Sequence, residues 1–288
     1  MSSPQTVSRA LAQSGLVPLD AQVLLAHVLA RDRGWLVAHG DEPLTLEQEA
    51  AFFALAKRRR DGEPVAYLTG RREFWGLLLR VTSAVLIPRP ETESLVELAL
   101  LRIPVDRESR VLDLGTGSGA IALALAHERP RARVFATDIS TEALAVARDN
   151  ARRLGIANVE FARADWYAGL PDMWRDVAFD LIVANPPYVA MNDPHLREGD
   201  VRFEPAAALV SGVDGIAAIR QIVAGARAHL APDGTLAVEH GYDQSERVRE
   251  LFSAAGLSGI VTAKDLAGIP RVAAALASGT WPTPPVRC

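Results

Sequence analysis

Four consecutive residues, Asn185-Pro186-Pro187-Tyr188, combine a side-chain amide, two prolines and a phenol. Each proline has a fixed φ and no N–H, and each pushes the residue before it toward extended backbone. The run therefore reads as a stiff corner that offers acceptors. The side-chain carbonyl of Asn185 and the main-chain carbonyl of Pro186 can each take one N–H of a planar nitrogen, and Tyr188 can lie flat against that nitrogen. The preceding Phe179-Asp180-Leu181-Ile182-Val183-Ala184 is a short apolar run of the kind buried on both faces of a sheet. The corner thus stands at the carboxyl end of a strand, where open α/β sheets bind ligands. Taken singly, the prolines could merely end the strand and Asn185 merely form a turn. Chemistry is favoured when all four stand beside a second ligand site.

That second site is Asp113-Leu114-Gly115-Thr116-Gly117-Ser118-Gly119, which follows one apolar run and opens a helical pattern. Glycines let the backbone turn tightly and approach a ligand closely. Gly115, Gly117 and Ala120 also satisfy a dinucleotide-binding spacing, and Asp138 stands where an acid would accept from ribose hydroxyls in either kind of site. Asp113, two residues before the first glycine, would repel a pyrophosphate but suit a cationic ligand. No hydride-transfer group is evident. Asp165-Trp166-Tyr167, read as the end of a third strand, adds an acid for an exocyclic amine and an aromatic for a purine, although Trp166 alone could be core packing. Together these residues describe an adenosine-type site holding a cationic nucleoside.

The elements that must position these groups follow from periodicity. Residues 1–70 read as a small helical bundle. Thr45 and Gln48 form a capping box ahead of a helix to Arg60, which Gly62 and Pro64 end. The cluster Lys57-Arg58-Arg59-Arg60 lies in that helix's last turn, where a solvated end complementing the helix dipole is preferred to partner docking. Residues 71–90 read as a hairpin turning near Gly76 and an extended link. From 91 to 280 strands and helices alternate, which gives a seven-stranded, doubly wound α/β sheet with right-handed crossovers. Residues 281–288 read as a frayed proline-rich tail.

Composition bounds the rest. The 288 residues are 49% hydrophobic with a net charge of −4, enough for a sizeable core and no global basic field for nucleic acid. Cys288 is the sole cysteine, so no internal disulfide and no cysteine metal site is expected. Met1-Ser2-Ser3-Pro4-Gln5 lacks a signal-peptide pattern, and no apolar run is long enough to span a membrane, so a cytoplasmic protein is expected.

Gly115 to Gly119, Asp138 and Asp165-Trp166 resemble the S-adenosylmethionine site of class I methyltransferases. Asn185 to Tyr188 resembles the NPPY motif of members that methylate planar nitrogens. Beyond these motifs the chain resembles the peptide chain release factor glutamine N5-methyltransferases. The likeness is carried by 20–29, Glu63 to Gly70, Glu73 to Gly76, Leu86 to Glu93, Phe203-Glu204-Pro205, Glu239 to Gln244 and Asp265 to Gly268. The resemblance implies a Rossmann-like class I methyltransferase domain over 91–280, with residues 1–70 recognising the substrate. It implies S-adenosylmethionine as methyl donor, held by Gly115, Thr116, Gly117, Ser118, Gly119, Asp138, Asp165, Trp166 and Asn185, with S-adenosylhomocysteine as product. It also implies a release-factor glutamine, in the Gly-Gly-Gln loop, as acceptor at Asn185, Pro186, Pro187 and Tyr188. Asn185, Pro186 and Tyr188 are the expected catalytic residues. A monomer without direct nucleic-acid or membrane contact and without a metal is expected. A ribosomal-protein glutamine or a nucleic-acid base amine is the alternative acceptor, and a non-catalytic nucleoside-binding module the remote one.

Overall fold

The computed structural model describes residues 5–281; residues 1–4 and 282–288, including Cys288 and all of the expected tail except Trp281, lie outside the described part. The chain divides into two compact units, Met1–Arg71 with Arg197–Phe203, and Arg72–Leu196 with Glu204–Cys288.

The first unit holds five helices, α1 (Val7–Gln13), α2 (Pro18–Leu29), α3 (Arg33–Ala38), α4 (Leu46–Arg60) and α5 (Val65–Thr69). Val7, Leu24, Leu25, Leu36, Phe52 and Leu68 form their shared core. The capping box forms as expected: the Thr45 hydroxyl accepts from the Gln48 N–H at 3.2 Å, and the Gln48 side chain accepts from the Thr45 N–H at 2.9 Å. The four basic residues at the end of α4 are engaged within the unit. Lys57 meets Asp61, Arg58 meets Glu63, Arg59 bridges Asp20 and Asp200, and Arg60 donates to the Ser14 carbonyl. They tie α4 to its surroundings and hold segment 197–203 in place.

A hairpin follows, β1 (Arg71–Phe74) and β2 (Leu77–Arg80), which belongs to the second unit from Arg72 onward. Trp75 and Gly76 both have positive φ, 54° and 71°, the pairing that a two-residue turn matched to strand twist requires. Next come α6 (Glu93–Leu100), then β3 (Arg110–Leu114), α7 (Ala120–Glu128), β4 (Arg133–Asp138), α8 (Thr141–Leu154) and β5 (Val159–Arg163). They are followed by α9 (Asp172–Arg175), β6 (Phe179–Ala184), α10 (Ala217–His229), β7 (Leu230–Glu239), α11 (Ser245–Ala254), β8 (Ser258–Lys264) and β9 (Pro270–Leu276).

Seven strands make one sheet in the order β5-β4-β3-β6-β7-β9-β8. Alternate residues pack on opposite faces, as strands buried on both sides must. Leu112, Leu114, Ile182, Ala184, Leu236 and Val238 meet α10 and α11, while Val111, Leu181, Val183 and Ala237 meet α6 and α7. The doubly wound pattern covers β3 to β7. The last strand departs from it, because β9 runs antiparallel to both β7 and β8. The connection from β8 to β9 is a tight turn closed by the Asp265 N–H on the Ile269 carbonyl, too short for a parallel crossover. Trp281, expected in a frayed tail, is instead tied down. Its indole N–H donates to the Gly259 carbonyl, and the Arg102 guanidinium lies 5.0 Å over its ring.

Candidate active site

Strand register assembles the site. Leu114 on β3 pairs with Ala184 on β6 and with Thr137 on β4. Gly115 and Asn185 therefore leave the sheet side by side, with Asp138, the last residue of β4, on the strand beyond Gly115, neighbouring strands being about 5 Å apart. Strand order reverses between β3 and β6, so the glycine loop and the proline corner flank the topological switch point.

The loop is held by its own backbone. The Gly115 and Thr116 N–H groups both donate to the Thr137 carbonyl, at 2.9 and 2.8 Å. The Gly117 N–H donates to Asp138 Oδ2 and the Ser140 N–H to Asp138 Oδ1, both at 2.9 Å. A Cβ on Gly115 would stand 3.4 Å from the Trp166 ring, and one on Gly119 would press to 3.0 Å against Leu123 and 3.3 Å against Ala147. Gly115 thus admits the indole, and Gly119 admits α8 against α7. Behind the loop, Asn150 of α8 takes the Arg80 N–H and gives its own amide protons to the Arg80 and Ser118 carbonyls, which fastens β2 to the loop.

The expected third-strand end at Asp165-Trp166-Tyr167 is not a strand. β5 stops at Arg163, and Asp165 and Ala168 exchange two main-chain hydrogen bonds of 2.9 and 2.8 Å around a sharp reversal. β-Propensity favoured Trp and Tyr in a strand, but the reversal turns them to opposite uses. Trp166, at φ 51°, sits in a region that costs a bulky side chain about 1–3 kcal/mol, and its ring is delivered over Gly115. Tyr167 turns into the core, where its hydroxyl donates to the Ile222 carbonyl and its ring stacks on His229.

A cavity of about 250 Å³ opens over this edge. A single water needs only about 10–15 Å³, so the space suits a small organic molecule. Of the residues proposed from sequence, Gly115, Thr116, Gly117, Ser118, Asp138, Asp165, Trp166, Asn185 and Pro187 line it; Gly119, Pro186 and Tyr188 do not. Pro186 is buried, and its carbonyl accepts no hydrogen bond from the described residues. The Tyr188 hydroxyl donates to Glu239 Oε1 at 3.2 Å, so the phenol is anchored to β7. The Gln244 amide donates to the Tyr188 carbonyl at 2.9 Å and fixes the backbone of the corner. Asn185 Nδ2 donates to Thr92 Oγ1 at 3.1 Å, which leaves Oδ1 as the free end of the amide.

Burial dominates the electrostatics. It raises the Asp138 carboxyl, against the opposing effect of the Ser140, Gly117 and Ile139 N–H groups. Asp113, completely buried beneath the loop, is pushed up to about 7 by desolvation, with the Asp138 charge adding to the rise. The Thr116 hydroxyl and the Ala122 N–H temper that rise, yet among the described residues no hydrogen bond of ordinary length reaches either Asp113 oxygen or the Thr116 hydroxyl. Arg89, on the cavity wall, pairs with the buried Glu204 carboxylate, which also accepts from the Ile87 N–H at 3.3 Å. Thr92, Arg89, Glu204 and Glu239 received no role from sequence reasoning. All four fall in stretches that carried the family likeness, and that was the one signal available.

The sheet order, the glycine loop and the flanking acids define a methyltransferase domain of Rossmann-like build. A methyltransferase-domain family matches residues 105–267, and the PrmC N-terminal domain family matches residues 5–70. A methyltransferase from Pyrococcus furiosus shares the fold, with a TM-score of 0.51 at 18% identity, covering 77% of this chain and 96% of that one. Release factor glutamine methyltransferases are similar in sequence: that of Xylella fastidiosa (strain Temecula1) is 52% identical, covering 88% of this chain and 91% of its own. That of Burkholderia pseudomallei is 51% identical over 93% of this chain and 95% of its own. The chain belongs to the release factor glutamine methyltransferase family.

Proposed function

We propose that this enzyme transfers a methyl group from S-adenosylmethionine to the side-chain nitrogen of the glutamine in the Gly-Gly-Gln loop of class I release factors. The observation that carries the reading is the free acceptor end of Asn185, set by β-sheet register beside the glycine loop. The residues present fit the donor. The open space at Gly117, where an added Cβ would meet nothing within 4 Å, leaves room at the backbone cradle. Asp138 and Asp165 suit ribose hydroxyls and an exocyclic amine, and Trp166 offers a flat apolar face. When bound, S-adenosylmethionine supplies an electrophilic methyl on a sulfonium and leaves as S-adenosylhomocysteine.

The chain's own part is placement. A glutamine amide nitrogen is a weak nucleophile because its lone pair is delocalised, so a strong base would help little before attack. Holding it in line is worth on the order of 7–11 kcal/mol. Asn185 Oδ1 and the Pro186 carbonyl accept its two N–H groups. Those N–H bonds acidify as the nitrogen is alkylated, so the acceptors bind the transition state more strongly than the ground state, and the surplus N–H proton leaves to solvent once the methyl has transferred. Pro187 closes the wall beside them. The N-terminal helical unit, residues 1–70, grips the release factor in this reading.

The test incubates the protein with S-adenosylmethionine and unmodified release factor, then maps methylation by peptide mass spectrometry. A single methyl on the Gly-Gly-Gln glutamine is expected. Methyl found only on a ribosomal protein or on nucleic acid would overturn the acceptor. For the donor, Asp138→Ala removes the acceptor that fixes both the Gly117 and Ser140 N–H groups. Donor Kd by calorimetry is expected to weaken by about 10- to 100-fold, the loss of one or two charge-assisted hydrogen bonds. An unchanged Kd would remove Asp138 from the donor site.

A further inference from the structure

Glu239 is the last residue of β7, 1% exposed, and Oε2 of its carboxyl makes no hydrogen bond of ordinary length among the described residues. Nothing in the mechanism above uses it. Its surroundings are specific. The Tyr188 hydroxyl donates to Oε1 at 3.2 Å. Thr92, 3% exposed, accepts from Asn185 Nδ2 at 3.1 Å. Ala184 pairs with Val238, which sets Asn185 beside Glu239 on the neighbouring strand, and the Thr92 hydroxyl faces the carboxyl with no hydrogen bond of ordinary length between them. We infer that Glu239 is a positioning residue for amide methylation, acting through Thr92 to decide which end of the Asn185 amide faces the cavity.

Proton counting links the three groups, and the link rests on the acceptor role proposed for Asn185. A hydroxyl carries one proton, and an ionised carboxylate can only accept. With Glu239 ionised, Thr92 gives its proton to the carboxylate and must accept from Asn185. The NH2 end of Asn185 is then turned inward, and Oδ1 is presented to the incoming amide. With Glu239 protonated, the carboxyl can donate to Thr92. Thr92 then donates onward to Asn185 Oδ1, and the amide turns to show NH2 to the cavity. That face opposes donor with donor and does not hold a glutamine NH2. The other groups facing the carboxyl are few. Glu91 adds negative charge, Arg271 opposes it but is engaged by Asp265 at 3.1 Å, and neighbouring His240 is pushed toward its neutral form by burial. Desolvation lifts the Glu239 carboxyl to about 7, so both arrangements lie within reach of neutral pH.

Glu239→Gln keeps the shape and removes the titration. The expected kcat on release factor falls at least about tenfold, as for loss of an oriented transition-state interaction. Donor Kd and release-factor KM stay within about twofold of wild type, because a positioning loss falls on kcat. Wild-type kcat rises with pH through about 7, following the Glu239 carboxyl, and this limb vanishes in the variant. Thr92→Val reproduces the loss, Thr92→Ser restores activity, and the double variant is no worse than either single one, as residues acting in one chain require. Equal kcat in wild type and both single variants, or losses that multiply in the double variant, would overturn the inference. A substrate-free measurement separates it from the acceptor assignment. The Asn185 side-chain resonance, followed by nitrogen-15 NMR, is expected to shift with a midpoint near 7 in wild type and to stay flat in Glu239→Gln. A wild-type resonance insensitive to pH sinks the Glu239 role even if glutamine is methylated. A titrating resonance with no methylated glutamine sinks the acceptor instead.

Discussion

Replacing Asn185 with alanine is expected to lower kcat on release factor by about 10²- to 10³-fold, the cost of removing one preorganised hydrogen-bonding group at a reacting centre. Donor Kd is expected to stay within about threefold, since the amide acts mainly in the transition state. The separation follows from the geometry. Asn185 lines the cavity beside the donor cradle, but among the described residues its side-chain amide bonds to Thr92, not to the glycine loop. Truncation therefore leaves the Gly115–Thr137 and Gly117–Asp138 hydrogen bonds untouched. It strands the Thr92 hydroxyl, so a small stability loss of about 1 kcal/mol accompanies the kinetic one. An aspartate in its place would accept equally well but would add charge beside a cationic donor, so Asn185→Asp should also fall short in kcat. Single-turnover kinetics with saturating donor give the decisive measurement. Wild-type turnover in Asn185→Ala would remove the amide from the mechanism, and a loss confined to donor Kd would reassign it to the donor site.

What could be read from the chain alone was whatever is written locally. The glycine loop, Asp138 and the proline corner each follow a strand by a fixed number of residues, and parallel register does the rest. The Thr45 box and the turn at Gly76 are equally local. Groups that depend on distant partners were illegible. Thr92 and Asn185 are 93 residues apart, and Tyr188 and Glu239 are 51 apart, so no spacing rule joins them. The direction of β9 was hidden for a similar reason: an apolar run has the same pattern whichever way it points. Asp165-Trp166-Tyr167 misled because residue preference for strands was outweighed by two main-chain hydrogen bonds that close a turn. The basic end of α4 could be read as a solvated helix end, yet Asp20 and Asp200, which hold Arg59, could not be foreseen.

The second large effect concerns stability. Asp113 is 0% exposed, and its carboxyl is held up at about 7 against 3.8 for the free side chain. A carboxyl with a raised folded pKa contributes stability below the unfolded value, and that contribution is lost as pH rises toward the folded one. Each tenfold change in proton affinity between the folded and unfolded chain is worth about 1.4 kcal/mol, so above pH 7 the ionised group costs the fold up to about 4 kcal/mol. Asparagine does not titrate. The stability gained by Asp113→Asn should therefore grow from about pH 4 to 7 and level off above, reaching about 2–4 kcal/mol. Urea unfolding at pH 5 and pH 8 measures it, and a gain equal at both pH values would show that Asp113 is not the titrating group. Such a cost beneath the glycine loop is intelligible if the cavity receives positive charge, which stabilises the carboxylate and recovers part of the loss. Saturating S-adenosylmethionine should accordingly stabilise the wild type more at pH 8 than at pH 5, and the difference should shrink in Asp113→Asn. A donor effect independent of both pH and Asp113 would leave the buried acid without a part in holding the cation.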